Sequence, residues 1–220
     1  MDIRVILILT AEALFALWLL YKAGLLKDRR YVFAAVLLTA YNLREARQAA
    51  EFSERTVLRI TESLPLREHT APQVEKAAET EETPYAEVDG TAYLGILEVP
   101  SLGLTLPVAA QWDYPALKRT PCRYGGTCAG DDLVIIAHNY RAHFGRLKEL
   151  VLGAEVRLTD WSGARTVYAV TGLERISPDG LSALEGRAAL TLFTCTPGGK
   201  SRLAVLCERA ESSVSDQRNS

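Results

Sequence analysis

The chain has 220 residues, of which 48% are hydrophobic and 24% are charged, with a formal net charge of −2. This apolar content excludes disorder along the whole chain, because disordered chains are poor in apolar residues. The near-neutral charge gives no bulk electrostatic case for nucleic-acid binding. Four cysteines without a CxxC pair exclude a disulfide scaffold and a zinc ribbon. We therefore expect one folded domain with additional segments.

Two apolar segments near the N-terminus predict membrane helices. Residues 3–21 contain three polar side chains, and a helix of that length reaches about 28 Å, close to the ~30 Å of a bilayer core. Residues 31–43 form a second, shorter apolar run that Leu25 and Leu26 lengthen. We predict a membrane anchor over residues 1–43, a two-helix hairpin with spans at about 3–21 and 25–43. In the alternative, residues 31–43 begin a soluble amphipathic helix.

Flanking charges predict the orientation of this anchor. Residues 22–30 hold four basic residues and one acid, whereas residues 44–64 balance four arginines against four glutamates. Since Lys and Arg accumulate in cytoplasmic loops, a hairpin with residues 22–30 inside would place everything after residue 43 outside the cell. A single span would leave the rest inside. We expect the hairpin, and so a cell-membrane protein with an extracellular head.

The next segment has the pattern of a helix followed by a linker. A helical stalk is predicted over residues 44–64, and Pro65 ends it. We favour a helix that packs on a neighbouring surface over a dimerising coiled coil, because the pattern covers fewer than three heptads. Residues 65–89 contain three prolines and seven acids against two bases, which is typical of a linker. The predicted seam of the stalk comprises Ala46, Ala50, Ser53, Val57, Ile60 and Leu64.

Residues 90–210 consist of short apolar runs between turn residues, which is typical of a β-sandwich or barrel. Single helical turns are expected near residues 114–118 and 144–150. The polar tail, residues 211–220, is expected to be disordered. An all-β domain is therefore predicted. Its expected strands are Tyr93–Val99, Leu104–Ala109, Asp132–Ala137, Glu155–Thr159, Thr166–Thr171, Leu190–Thr194 and Arg202–Cys207.

Polar side chains suited to catalysis stand at the ends of three of these strands. His138 and Asn139 follow one strand, Cys195 follows the strand before a Pro-Gly-Gly turn, and Arg202 opens the next. A cysteine attacks acyl groups as a thiolate, which needs a cationic or basic neighbour. A histidine transfers protons near neutral pH, and an arginine can hold an oxyanion. Each also has a structural interpretation, as an inert thiol, a surface imidazole or an edge residue.

In this order, these residues resemble those of the sortases, membrane-anchored cysteine transpeptidases of the thiol peptidase class on bacterial surfaces. Residues Thr191–Cys195 resemble the family's TLxTC signature, with an arginine seven residues later on the next strand. Ala137–Asn139, followed by Phe144-Gly145-x-Leu147, resembles the family's histidine segment. The resemblance covers residues 93–208. It implies an eight-stranded β-barrel with short helices and the three catalytic side chains at one end. It also implies a location at a bacterial cell membrane of Gram-positive type.

The resemblance also implies a role for each site residue. Cys195 would attack the backbone carbonyl of a sorting motif near the C-terminus of a secreted surface protein. His138 would donate a proton to the leaving amine and later take one from the incoming amine, while Arg202 would position the substrate and stabilise the oxyanion. Asn139 and Thr194 are the expected substrate-binding residues. An amine of a cell-wall precursor or a pilin would resolve the thioester, with no cofactor and no metal.

The subclass stays open in the sequence. The histidine segment is spelled much as in the class B enzymes, yet residues 172–189 are too short for the long inserted helix of that class. Two other functional classes also stay open. One is a membrane-anchored cysteine hydrolase, but papain-like and peptidoglycan-cleaving cysteine hydrolases normally place the cysteine at a helix N-terminus, ahead of the histidine in the chain. A non-enzymatic surface-binding β-module would need none of the three polar side chains.

The remaining histidine and cysteines of the domain have weaker assignments. His143 lies five residues after His138 and is the rival for the catalytic role, but we predict a lid or surface position for it. With Cys195 reserved, Cys122, Cys128 and Cys207 allow one disulfide and one leftover thiol in an extracellular setting. All three are equally compatible with small core residues.

Overall fold

A computed structural model describes residues 21, 22, 24, 29–63, 85–178, 180, 186–196 and 198–210. The chain divides into two compact units, residues 1–45 and residues 46–220. Residues 3–20 of the first predicted span, residues 65–84 of the predicted linker and the tail from residue 211 lie outside the described residues. The predictions made for those segments stay predictions.

The longest described helix, α1, runs without a break from Arg29 to Ser63. It joins the second predicted span and the predicted stalk into one helix. Its exposed large side chains in the first unit are Phe33, Val36, Leu37, Leu38 and Tyr41. Among the described residues, no helix combines the length and apolar character that a membrane crossing requires.

The described residues of the second unit form nine strands. They are β1 (Ala86–Val88), β2 (Thr91–Val99), β3 (Leu104–Ala109), β4 (Cys122–Gly125), β5 (Leu133–Ala137), β6 (Glu155–Asp160), β7 (Arg165–Ile176), β8 (Leu190–Cys195) and β9 (Arg202–Arg209). Helix α2 (Tyr114–Leu117) and two 3-10 turns, Pro100–Leu102 and Phe144–Glu149, lie between them.

Eight of these strands close a β-barrel, as the resemblance implied. Their order in the sheet is β2-β3-β4-β5-β8-β9-β7-β6, and β6 pairs back with β2. The ninth strand, β1, pairs with the start of β2 and lies inside the segment predicted as a linker. Sequence analysis also missed β4, because its residues Cys122–Gly125 contain an arginine and a glycine and show no apolar run.

Alternation of side chains along the strands sorts the core into an inner and an outer layer. On β8, Leu190 and Leu192 point into the barrel, and on β9 Val205 does the same. Phe193 and Ala204, on the opposite face of those strands, belong to an outer cluster that α2 covers. Strands β8 and β9 therefore present one face to the barrel interior and the other to the outer cluster beneath α2.

The C-terminal half of α1 packs against the barrel near β2. Buried positions recur at Ala49, Ser53, Thr56 and Ile60, which is the spacing of one helix face. Ile60 forms a third apolar cluster with Tyr93 and Ile96 of β2. The prediction of a helix that packs on a neighbouring surface thus has a concrete partner, the chain's own barrel. Three predicted seam positions, Ala46, Ala50 and Val57, are half-buried instead of buried.

Candidate active site

Strand register brings the predicted catalytic residues to one edge of the barrel. β5 and β8 are parallel, with Ala137 opposite Thr194, so His138 and Cys195 leave neighbouring strands at the same level. β8 and β9 are antiparallel, with Cys195 opposite Arg202. Because adjacent strands lie about 4.8 Å apart, the three backbones fall within two strand spacings of one another.

Strand alternation also fixes the face on which two of these side chains lie. Cys195 lies two residues after Phe193, and Arg202 lies two residues before Ala204. Phe193 and Ala204 both belong to the outer cluster. Side chains two apart share a face of a strand. Cys195 and Arg202 therefore share the outer face of the barrel and not its packed interior. Both residues are half-buried.

Thr194 ties the ends of β5 and β8 together next to this pair. Its hydroxyl donates to the Ala137 carbonyl over 2.8 Å, and the residue is only 4% exposed. Buried hydroxyls need such a partner, because an unpaired one costs free energy. In this structure the Thr194 side chain serves the strand pairing, while the predicted substrate contact stays a prediction.

Two tyrosines flank His138, which is half-buried. The Tyr140 ring lies 5.0 Å from the imidazole between centroids, and the Tyr114 ring of α2 presents an edge contact at 6.4 Å. Asn139, the other predicted residue of this strand end, is exposed. Sequence analysis did not single out either tyrosine. The one sequence signal for such a contact was that Tyr140 lies two residues after His138.

The histidine segment closes into a tight loop on residues 138–145. The backbone N–H of Phe144 donates to the His138 carbonyl over 3.2 Å, and the N–H groups of His143 and Gly145 donate to the Tyr140 carbonyl, each over 2.9 Å. A Cβ on Gly145 would lie 2.4 Å from the Asn139 carbonyl oxygen, so the loop accommodates only glycine there. This contact is the physical reason for glycine in the Phe-Gly-x-Leu segment.

Arg202 is held by the turn that joins β8 to β9. Its Nη1 donates to the Gly199 carbonyl over 2.8 Å and to the Ser201 carbonyl over 3.3 Å. Thr196 closes the same turn, since its N–H donates to the Ser201 carbonyl over 3.0 Å. Backbone carbonyls of the turn thus anchor the guanidinium group of Arg202, the residue that pairs with Cys195.

His143 was predicted as a lid or surface residue, and this prediction is wrong. The residue is fully buried, and its Nε2 lies 3.2 Å from the Ser53 Oγ of α1. Burial, with a smaller contribution from His138, lowers the pKa of His143 to about 4. The His143 imidazole is therefore neutral at pH 7 and enclosed by protein. The sequence could not show this burial, because the helix that covers the residue is 90 positions away.

All four cysteines are free thiols in the structure, so the allowed disulfide is not formed. Burial raises the pKa of Cys122, Cys128 and Cys207 to about 12 in each case. At neutral pH these three thiols are protonated and poorly nucleophilic. Within the described part of the chain, no group of three or more His, Cys, Asp or Glu side chains could hold a metal ion.

A family model described as a sortase domain matches residues 97–210, just over half of the chain. The chain belongs to the sortase family. Sortases are cysteine transpeptidases, and the eight-stranded barrel described above is their fold. The site at the ends of β5, β8 and β9 lies entirely within the matched segment.

Sortases are also among the solved structures to which the chain is similar. The chain is similar to the group B Streptococcus pilus island 1 sortase C2, with 26% identity and a TM-score of 0.50, over 56% of this chain and 76% of that one. It is also similar to sortase A from Corynebacterium diphtheriae, with 20% identity, a TM-score of 0.51, and coverage of 57% and 64%. For sortase C1 from Streptococcus agalactiae the identity is 23%, the TM-score 0.51, and the coverage 56% and 70%. The last two likenesses concern the fold alone. No curated protein sequence matches this chain.

Proposed function

We propose that this sortase cleaves a sorting motif of secreted surface proteins and transfers the acyl fragment to an amine. The acceptor is an amine of a cell-wall precursor or of a pilin. His138, Cys195 and Arg202 are the catalytic residues, and Asn139 and Thr194 contribute to the substrate-binding surface.

In the first half-reaction the Cys195 thiolate attacks the carbonyl carbon of the scissile peptide bond. The carbonyl oxygen becomes an oxyanion that the Arg202 guanidinium stabilises by hydrogen bonds. The C–N bond then breaks, and protonated His138 gives its proton to the leaving amine, which leaves a thioester on Cys195.

In the second half-reaction the acceptor amine attacks the thioester carbon. His138 takes a proton from that amine, the C–S bond breaks, and Cys195 returns to the thiolate. One amide is broken and one is formed, so the exchange needs no oxidant, reductant or other co-reactant.

One observation carries this proposal: in a sortase fold, Cys195 stands opposite Arg202 while His138 leaves the parallel neighbour strand at the same level. The backbone positions that carry the three side-chain types needed for thioester chemistry thus lie at one barrel edge. Anchoring of Arg202 by carbonyls of its own turn supports the positional role, because a fixed guanidinium loses less freedom on binding an oxyanion.

Thiol labelling tests the nucleophile without knowledge of the sorting motif. We expect the cationic methanethiosulfonate MTSET to modify Cys195 faster than free cysteine, and faster than Cys122, Cys128 or Cys207, whose pKa values burial raises to about 12. Mass spectrometry of digested protein identifies the modified thiol. Modification of Cys195 no faster than free cysteine would contradict the proposal.

Trapping the acyl-enzyme would identify the substrate. In cells with a limiting supply of the acceptor amine, the second half-reaction slows while His138 still serves the first, and the peptide held on Cys195 can be read by mass spectrometry. A peptide from the C-terminal region of a secreted protein supports the proposal. Absence of any acyl group, with normal anchoring of surface proteins, contradicts it.

The proposed location is the cell membrane, with residues 44–220 on the extracellular side. Its support is the charge distribution: residues 22–30 hold four basic residues against one acid, which is typical of a cytoplasmic loop. Protease added to intact protoplasts should then release the catalytic domain by cutting within residues 65–89. Cleavage only after lysis would show the opposite orientation.

A further inference from the structure

Helix α1 reaches the active-site loop through one polar contact. Ser53 is 2% exposed, and its Oγ lies 3.2 Å from Nε2 of the buried His143. The same hydroxyl is 3.4 Å from the Arg119 carbonyl, on the segment that follows α2. A single serine of α1 therefore contacts the loop of the catalytic histidine and the segment that follows α2, the helix whose Tyr114 contacts His138.

The other buried residues of α1 around this contact make the packing contacts typical of a helix on a protein surface. One turn before Ser53 lies buried Ala49, and beyond it Thr56 and Ile60 pack towards β2. Phe52 lies beneath the Arg119 guanidinium, 5.7 Å from its carbon. A buried imidazole among such contacts needs hydrogen-bond partners to offset its desolvation, so an apolar residue at position 143 would serve packing alone better.

From His143 the contact continues to His138 through one ring. The His143 and Tyr140 centroids are 5.8 Å apart, and the Tyr140 and His138 centroids are 5.0 Å apart. The three rings belong to one tight loop, whose N–H at Phe144 donates to the His138 carbonyl. A shift of His143 in this loop must therefore move Tyr140 or the His138 backbone.

We propose that His143 is a positioning residue for His138, and that α1 fixes the catalytic imidazole by holding His143 through Ser53. This inference rests on the proposed function, because it assumes that His138 is the proton-transfer group. By this inference α1, the helix before the barrel, takes part in organising the active site. Displacement of α1 from the barrel would loosen the position of His138.

The groups that face His143 agree with a neutral, hydrogen-bonded ring. From its own loop they are His138 and Tyr140, and from α1 they are the Ala49 backbone and the Ser53 hydroxyl, which pairs with Nε2. Nδ1 of His143 has no hydrogen-bond partner among the described residues, and from the segment after α2 the Arg119 carbonyl meets the same Ser53 hydroxyl. Burial keeps the pKa of His143 near 4. A ring that stays uncharged at neutral pH can position His138 without competing with it for protons.

The test compares two hydroxyl deletions in the full-length chain, purified in detergent. Ser53→Ala removes the contact with His143. Thr61→Ala is the matched control, because the exposed Thr61 hydroxyl donates only within α1, to the Val57 carbonyl over 2.8 Å. His143→Gln is the conservative variant, since its side-chain amide can still bond Ser53, and His143→Leu removes the bond.

Two readouts are measured: the rate of Cys195 modification by MTSET across pH, and the ring-proton resonances of His138 in NMR spectra. We expect Ser53→Ala and His143→Leu to slow the modification about fivefold at neutral pH, the factor that corresponds to loss of one hydrogen bond. Both should also move the His138 resonances, which the Tyr140 ring influences. Thr61→Ala should leave both unchanged, and His143→Gln should recover most of the rate.

Unchanged His138 resonances and an unchanged pH profile in Ser53→Ala and His143→Leu would overturn the inference, even if thermal stability falls. A loss in Thr61→Ala equal to that in Ser53→Ala would also overturn it, because the effect would then come from the helix in general. The NMR readout does not depend on Cys195. A slow reaction of Cys195 in the unsubstituted protein therefore refutes the proposed function, whereas unmoved His138 resonances refute only this inference.

Discussion

The ends of β5, β8 and β9 and the seam between α1 and the barrel both adjoin His138, but they are assembled from different contacts. At the strand ends, backbone pairing places Cys195 opposite Arg202, and residues near in sequence supply the turn that anchors the arginine. At the seam, side chains of Ser53 and His143 meet across 90 residues. The comparison teaches that the reactive groups depend on sheet register, whereas the setting of His138 also depends on tertiary packing.

Removal of the nucleophile is expected to have the largest effect on the strand-end region. Cys195→Ala should lower the transpeptidation rate by roughly 10⁶-fold, because the nucleophile and its base act as a unit and neither works alone. Release of peptide from a sorting-motif substrate in the presence of an amine measures this. Cys128→Ser is the control, since Cys128 lies away from the strand end and should retain activity. Comparable losses in both variants would contradict the assignment.

Substitution of Arg202 tests whether position or charge matters at the same strand ends. Arg202→Ala should lower kcat by about 10²–10³-fold, the usual effect of removing an oxyanion donor. Arg202→Lys keeps the charge but loses the planar fork and should recover little. Lys200→Ala, an exposed change on the same turn, controls for turn flexibility. Near-full activity of the lysine variant would replace the positional role with a general electrostatic one.

Truncation of Ile60 tests the apolar part of the seam. The residue is 0% exposed, so Ile60→Ala should lower the free energy of unfolding by about 3 kcal/mol through lost burial and a cavity. Urea unfolding followed by circular dichroism measures it. Leu58→Ala is the matched control on α1, because Leu58 is 64% exposed, and should change stability by less than ~0.5 kcal/mol. Equal effects of the two truncations would mean that α1 does not pack as described.

The smallest expected effect is the pH dependence that His143 gives to the seam. Burial lowers the pKa of His143 from its usual 6.5 to about 4, so between these values the unfolded chain binds a proton that the folded chain does not. The contribution of His143 is complete above pH 6.5 and is lost as the pH falls towards 4. Between pH 7 and pH 5 this loss is about 2 kcal/mol.

Urea unfolding at pH 7 and pH 5 checks this value against His143→Gln, which has no titrating group at the position. The unsubstituted protein should lose about 2 kcal/mol more than the variant on acidification. Equal losses in the two proteins would show that the His143 ring is accessible to protons in the folded state.

The sequence by itself predicted the strands of the barrel that have apolar runs, and the family motifs around His138 and Cys195. These features are local: strand alternation, turn residues and the spacing of a motif are written in neighbouring positions. Sequence analysis missed β1, which is short, and β4, which contains an arginine and a glycine. Pairing with neighbouring strands, and not their own residue pattern, makes these two segments strands.

Tertiary structure alone decided how His143 and α1 relate to the site. Sequence analysis predicted a lid or surface position for His143, yet the structure buries it fully, with its Nε2 3.2 Å from the Ser53 Oγ. Helical periodicity predicted that α1 packs on something, since one stripe was apolar, but it could not say on what. The choice of the barrel face beside the catalytic loop depends on surfaces formed by residues far apart in the chain, and such surfaces exist only after the barrel has closed.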